Sequence, residues 1–301
     1  MSQSDSCVHA AYAHCMAITR KHYENFPVAS LFLSASRRNA LAAIYAFARI
    51  ADDFADEPGP LFPTSESRLE ALADWRRRLN ACYADETSDH PIFIALGDAA
   101  RRFGLTRDYF DRLIRAFEMD VRANRHQDFA SLLNYCDGSA NPVGRLMLEL
   151  HDYRESGMLM LSDALCTALQ LANFWQDAGV DLDRDRIYLP LDDLKQFGLT
   201  VQDLVELRDG RNREKMERFQ SLIRLEVGRT ADLFKRAQSL PEQVSLGLRL
   251  QLRMTWRGGV TILRKMRRMN FMVLSARPAL RKLDALAILL KSLRQGSIFQ
   301  S

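Results

Sequence analysis

The stretch Ile44-Tyr45-Ala46-Phe47-Ala48-Arg49-Ile50-Ala51-Asp52-Asp53-Phe54-Ala55-Asp56-Glu57 ends an apolar run with four acids. At about 100° per residue, Tyr45, Arg49, Asp52 and Asp56 fall within an arc of about 60°, with Asp53 at its edge. Ile44, Phe47, Ala48, Ile50, Ala51, Phe54 and Ala55 fill the other faces. The pattern therefore predicts a helix buried on most sides, with its polar stripe facing a cavity. Carboxylates in such a place are costly unless they are paired or bound to a cation.

A second stretch repeats the logic: Gln170-Leu171-Ala172-Asn173-Phe174-Trp175-Gln176-Asp177-Ala178-Gly179-Val180-Asp181. Gln170, Asn173, Asp177 and Asp181 share an arc of about 80°, and Leu169, Leu171, Phe174, Trp175 and Val180 pack the other sides. Either stripe alone is compatible with an exposed helix end. Two stripes, each with arginine or amide companions on a mostly apolar helix, point instead to a site. Oxygen ligands spaced i and i+4 suit a hard divalent cation, and Mg²⁺ is typically held by one or two carboxylates together with substrate phosphates. Facing stripes would hold a Mg²⁺–diphosphate cluster between them.

Outward from these stretches the chain reads as helical throughout. Its 301 residues are 47% hydrophobic with only 14 Gly and 9 Pro, enough to bury a large core and unlike a disordered or fibrous chain. Apolar residues recur at three- and four-residue steps, predicting helices near 6–24, 37–56, 66–84, 89–103, 106–121, 128–150, 155–183, 210–238, 243–270 and 278–295. Gly104 and Gly198 read as helix stops followed by new caps. No Ser/Gly/Pro linker divides the sequence, so the expectation is one all-α domain over residues 1–301, a helical bundle around a central cavity.

Several classes are set aside. No run reaches the roughly 18 apolar residues of a spanning helix, and Met1–Ser6 lacks the positive start of a secretory signal. Five widely spaced cysteines with no CxxC pair fit a reducing cytoplasm better than a disulfide or zinc scaffold. The histidines show no HExxH spacing, and Gly258-Gly259 follows no strand, so neither a zincin nor a dinucleotide loop is indicated. Charge is uneven: residues 251–301 hold 11 basic side chains and one acid, Asp284, whereas the remainder holds 31 basic and 37 acidic residues. A basic end implies a polyanionic contact or a solvated face. Nucleic acid is disfavoured, because no reader motif accompanies the charges, which interleave with Ile262, Leu263, Met266 and Met269.

The two aspartate-rich motifs, Tyr45-x3-Arg49 before the first, Asn173 before the second and Arg186-Ile187-Tyr188-Leu189-Pro190 after it, together resemble the squalene and phytoene synthase family, the head-to-head branch of the all-α isoprenoid synthases. The resemblance runs from about His22 to Leu293. The segments around His22–Ser30 and Ser139–Arg145 look most like the branch that converts presqualene diphosphate to hydroxysqualene in bacterial hopanoid biosynthesis. Two departures bear on the product: Asn141-Pro142 stands where relatives carry a Gly-rich stretch, and Val260-Thr261 where they often carry Tyr.

The resemblance implies Mg²⁺ as cofactor, held by Asp52, Asp56, Asp177 and Asp181, with Asn173 completing the shell and Asp53 contributing from its edge. Arg49 and Arg186 are the expected diphosphate contacts, since guanidinium forks bind phosphate oxygens in pairs. His22 and Asn25 join them by resemblance, with helix packing or capping as their other role. Phe26, Phe47, Leu146 and Phe174 are candidates to line the cavity or to be plain core. Tyr45, Tyr135 and Gln170 are the candidates to position an attacking water. The substrate expected is presqualene diphosphate, or farnesyl diphosphate if the chain condenses two prenyl diphosphates to presqualene diphosphate, squalene or phytoene. A non-catalytic assembly factor of the same fold should lose motif aspartates or their partners, and all are kept here. A cytoplasmic protein coupled to a presqualene diphosphate synthase and a downstream reductase is implied. The resemblance also implies that it lacks the membrane anchor of eukaryotic squalene synthase, and the expectation is a peripheral contact with the inner membrane through Arg264, Lys265, Arg267, Arg268, Arg281 and Lys282.

Overall fold

The computed structural model describes residues 3–21, 33–56, 60–122, 125–208 and 212–293. Thirteen α-helices are present among them: α1 (Gln3–Lys21), α2 (Ala35–Asp56), α3 (Ser65–Tyr83), α4 (Pro91–Phe103), α5 (Arg107–Arg122), α6 (Phe129–Ser139), α7 (Asn141–Glu149), α8 (Ser156–Asp183), α9 (Leu191–Gln196), α10 (Val201–Arg208), α11 (Arg213–Ala237), α12 (Leu246–Arg268) and α13 (Lys282–Leu293). The described residues contain no strand, only an isolated bridge between Arg125 and Ile187. The all-α expectation is met.

Three boundaries differ from the sequence reading. The helix expected over 128–150 is two, because Pro142 has no amide hydrogen and is tolerated only in the first turn of a new helix, α7. The stretch between Asp183 and Arg213, given no helix range although Gly198 read as a stop and new cap, holds α9 and α10, too short to show periodicity. The last helix begins at Lys282 rather than 278, where the Asp284 carboxylate accepts the Arg281 backbone N–H at 2.7 Å. Gly104 and Gly198 do take left-handed backbone, with φ of 61° and 66°. Beyond Gly198 the Thr200 and Asp203 side chains cap α10 reciprocally.

The helices group into two compact units, residues 1–123 with 142–159 and residues 124–141 with 160–301. In the first, α2 is the central element and packs on α1, α3, α4 and α5. Its alanines make this close approach feasible, since Ala40, Ala42, Ala43, Ala46, Ala51 and Ala55 are all buried. Phe47 fixes the packing: its ring meets Trp75, Phe93 and Phe110 at centroid distances of 5.8, 6.0 and 5.1 Å, two of them edge to face.

The second unit is built on α8, α11 and α12. Trp175 of α8 is fully buried and donates its indole N–H to Thr230 of α11 at 2.8 Å. Gly259 belongs to α12, where a side chain would collide with the Phe234 ring and approach Leu169 to 3.0 Å. Its role is thus close helix packing. No helix among the described residues is long and apolar enough to cross a membrane.

Candidate functional site

The first stripe lies on the last turns of α2. Arg49 gathers its acids: one guanidinium nitrogen donates to Asp52 at 3.0 Å, the other pairs with Asp53 and stands 4.0 Å from Asp56. These side chains are 29 to 40% exposed, so the stripe is wetter than the burial expected of it. The helix terminates here, and only its apolar faces are covered. Burial lowers the Arg49 pKa, but Asp52, Asp53 and Asp56 outweigh it and the net shift is upward. The Tyr45 hydroxyl is pushed up by burial and, secondarily, by Asp52 and Asp53, against the pull of Arg49. Asp53, expected at the edge, is a full member of the cluster.

The second stripe lies on α8. Asp181 is raised to about 6, first by burial and then by Asp177, against the opposing charges of Arg186, Arg184 and Arg277. Asp177 receives both arms of Arg277, one at 3.2 Å. Arg277 escaped the sequence reading because it lies 100 residues away and outside any helical period. Its approach depends on Gly179. A side chain at Gly179 would collide with the Leu274 carbonyl oxygen and stand 3.0 Å from its carbon. Without a side chain there, residues 274–278 lie directly on α8, where Gln176 also donates to the Pro278 carbonyl at 2.7 Å.

Arg186 is placed by the turn that ends α8, its backbone N–H donating to the Asp181 carbonyl at 2.8 Å. The following residues are clipped to 125–127: Arg125 donates to the Asp185 carbonyl at 2.6 Å, and Leu191 N–H donates to the His126 carbonyl at 3.0 Å. This clip stacks Tyr188 on Phe174, with centroids 3.8 Å apart and planes 9° apart. Tyr135 and His126 extend the cluster at 5.1 to 6.2 Å. Burial pushes the His126 pKa down from its ordinary value. Tyr188 stands inside the Arg186–Pro190 motif, and the motif was the signal that could have found it.

Of the remaining candidates, Tyr135 is buried within this aromatic cluster, Gln170 is half-buried and Asn173 is exposed on α8. Phe47 and Leu146 are fully buried core. His22, Asn25 and Phe26 lie outside the described residues. No three His, Cys, Asp or Glu side chains among the described residues form a ready metal cage. The donor set nevertheless fits Mg²⁺ completed by a ligand. All its oxygens are hard, and Asp177 and Asp181 lie together on one helix face, with Asp181 raised by burial and by its neighbour.

Residues 19–284 match the squalene/phytoene synthase family. A hydroxysqualene synthase of Zymomonas mobilis is 39% identical over 185 residues, covering 60% of this chain and 59% of that protein. A presqualene diphosphate synthase of Rhodopseudomonas palustris is 36% identical over 180 residues, 60% of this chain and 62% of that protein. The chain thus spans about three fifths of the length of these relatives. The crystal structure of squalene synthase HpnC from Alicyclobacillus acidocaldarius superposes with a TM-score of 0.80 at 36% identity, over 88% of this chain and 95% of that one.

Proposed function

As the chain belongs to the squalene/phytoene synthase family, we propose that it is a hydroxysqualene synthase, ionising presqualene diphosphate and directing one water onto the rearranged cation to give hydroxysqualene and diphosphate. The observation that carries this reading is the α8 stripe, where Asp177 and a burial-raised Asp181 stand among Arg184, Arg186 and Arg277. Carboxylates interleaved with guanidinium groups suit a ligand that brings cations and phosphates together. Asp52, Asp53, Asp56, Asp177, Asp181 and Asn173 would hold Mg²⁺, which when bound draws charge from the phosphate oxygens and eases C–O cleavage.

The chain's own residues supply the rest. Arg49 and Arg186 fork onto phosphate oxygens as negative charge grows on the leaving group, and His22 and Asn25 are assigned to the diphosphate by family resemblance. Arg277, ion-paired to Asp177 in the free protein, is positioned to exchange that carboxylate for phosphate. Tyr135, Phe174 and Tyr188 offer π faces to a hydrocarbon cation. Tyr45, Tyr135 and Gln170 orient the capturing water. Residues 1–301 are assigned to one catalytic domain, a reading supported by the family match over residues 19–284. The substrate partitions into lipid, so the enzyme works from the cytoplasm at the inner-membrane surface, between a presqualene diphosphate synthase and a reductase.

A second reading, condensation of two farnesyl diphosphates, is favoured by the nearly equal likeness to a presqualene diphosphate synthase. Purified protein with Mg²⁺ is given presqualene diphosphate, or farnesyl diphosphate alone, and extracts are resolved by gas chromatography. Hydroxysqualene from the first substrate alone is expected. A C30 product from farnesyl diphosphate without a partner enzyme overturns the assignment.

A further inference from the structure

α12 and α13 pack against each other around a cavity of about 240 Å³ lined by Trp256, Arg257, Val260, Thr261, Arg264, Lys265, Arg268, Asp284, Ala287, Ile288 and Lys291. Arg257, Thr261, Arg264 and Arg268 follow one another at steps of four, three and four, a single line along α12. Five cations line the cavity against one acid, and Asp284 is already engaged by Lys265 at 2.8 Å. Burial, and secondarily the charges of Arg253 and Arg264, lowers the Arg257 pKa. The floor, by contrast, is apolar: Trp256, Val260 and Ile288.

The outer face of α13 complements this groove. Leu283, Leu286, Leu290 and Leu293 recur at steps of three, four and three, within an arc of about 80°, and are 80, 53, 54 and 58% exposed. Ile288 and Ser292, on the side turned to α12, are buried. A helix that turns one residue set into its unit and shows four leucines to solvent is unusual for a soluble surface. Leucines beside a cationic groove are the two halves of an interfacial surface: one enters the acyl boundary while the other meets phosphate.

We propose that the α12–α13 face is a membrane-docking surface, with Leu283, Leu286, Leu290 and Leu293 entering the acyl boundary and the groove of Arg257, Arg264 and Arg268 receiving an anionic phospholipid headgroup. Charge decides the occupant. A second copy of this chain would bring the same cations and repel, whereas an anionic bilayer carries charge opposite to that of the five cations lining the groove. The assignment rests on the membrane contact proposed above and not on the reaction, so it is tested without substrate.

The test is flotation of the full chain with vesicles of phosphatidylcholine, alone or mixed with phosphatidylglycerol, at low and high salt. Binding is expected to the anionic vesicles only and to weaken with salt. Arg264→Glu with Arg268→Glu should weaken it by about tenfold or more, at roughly fivefold per lost cation. Leu283→Gln with Leu290→Gln should weaken binding comparably but also remove the part that survives high salt. Both double variants should keep the parent circular dichroism, and their turnover in detergent should match the parent. Failure of the parent to bind, or binding by both variants as strong as the parent's, overturns the proposal. So does a leucine-dependent dimer without vesicle binding, or binding of inorganic phosphate alone. Loss of hydroxysqualene formation with vesicle binding intact would defeat only the reaction assigned above.

Discussion

Asp177 carries the most specific expectation at the scale of single residues. Asp177→Asn keeps the side-chain volume and one acceptor for Arg277 while removing the negative charge a cation needs. Turnover with Mg²⁺ should fall about 10²- to 10³-fold, in line with the loss of one preorganised charge interaction, while the helical circular dichroism stays unchanged. Parent-like turnover in that variant would defeat the metal assignment. Glu226 presents a different case, away from the acid stripes. It is fully buried, accepts from Arg229 at 2.9 Å through one oxygen, and its Oε2 is buried without a partner. Burial raises its pKa to about 8, opposed by Arg229 and assisted by Asp193. The folded chain therefore keeps a proton that the unfolded chain gives up near 4.5. Between those values the native state binds more protons, so stability should decline as pH rises from about 4.5 to 8 and level off above. Urea unfolding of Glu226→Gln across that range should show a flatter profile. An unaltered slope would mean that the carboxyl is already ionised in the fold.

Among the elements, α8 and the segment that crosses it show what a sequence pattern carries and what it omits. Periodicity located α2 and α8 nearly to the residue, because a long helix buries one side and its apolar spacing must follow 3.6. Asp52, Asp56, Asp177 and Asp181 were legible for the same reason, since spacing alone puts each pair on one face. The break at Pro142 was legible in principle, as a proline in the sixth helix could only begin a new one. Arg277 was not legible: its ion pair with Asp177 depends on a chain crossing that only Gly179 permits. Gly179→Ala tests that dependence directly. Its methyl must displace the Leu274 carbonyl, at a cost of about 1–3 kcal/mol, as overpacking usually exacts. The expected result is a lower urea midpoint together with reduced turnover, because Arg277 loses its place along with the crossing. A variant with parent stability and activity would show that residues 274–278 accommodate the methyl without moving.

For the molecule as a whole, the metal assignment makes Asp56 of α2 and Asp177 of α8 both necessary for binding diphosphate. Thermal stabilisation by inorganic diphosphate with Mg²⁺ decides it, because a ligand bound only to the folded chain stabilises by RT ln(1 + [L]/Kd), about 2.7 kcal/mol at a hundredfold excess over Kd. If Asp56 on α2 and Asp177 on α8 contact the same Mg²⁺–diphosphate, either Asp56→Asn or Asp177→Asn alone should remove most of the shift in melting temperature. The double variant should then add little to the single losses, as sites sharing a ligand are not additive. Two independent sites behave otherwise: each single variant would keep about half of the shift and the double variant would lose it all. Arg76→Met serves as the control, since Arg76 of α3 bonds at 2.8 Å to Asp111 and Glu118 of α5 rather than to an acid of either stripe. It should lower the melting temperature of the free protein and leave the ligand-induced shift intact. A common loss in the two aspartate variants, with the control shift preserved, would establish that Asp56 and Asp177 are both needed to bind the diphosphate.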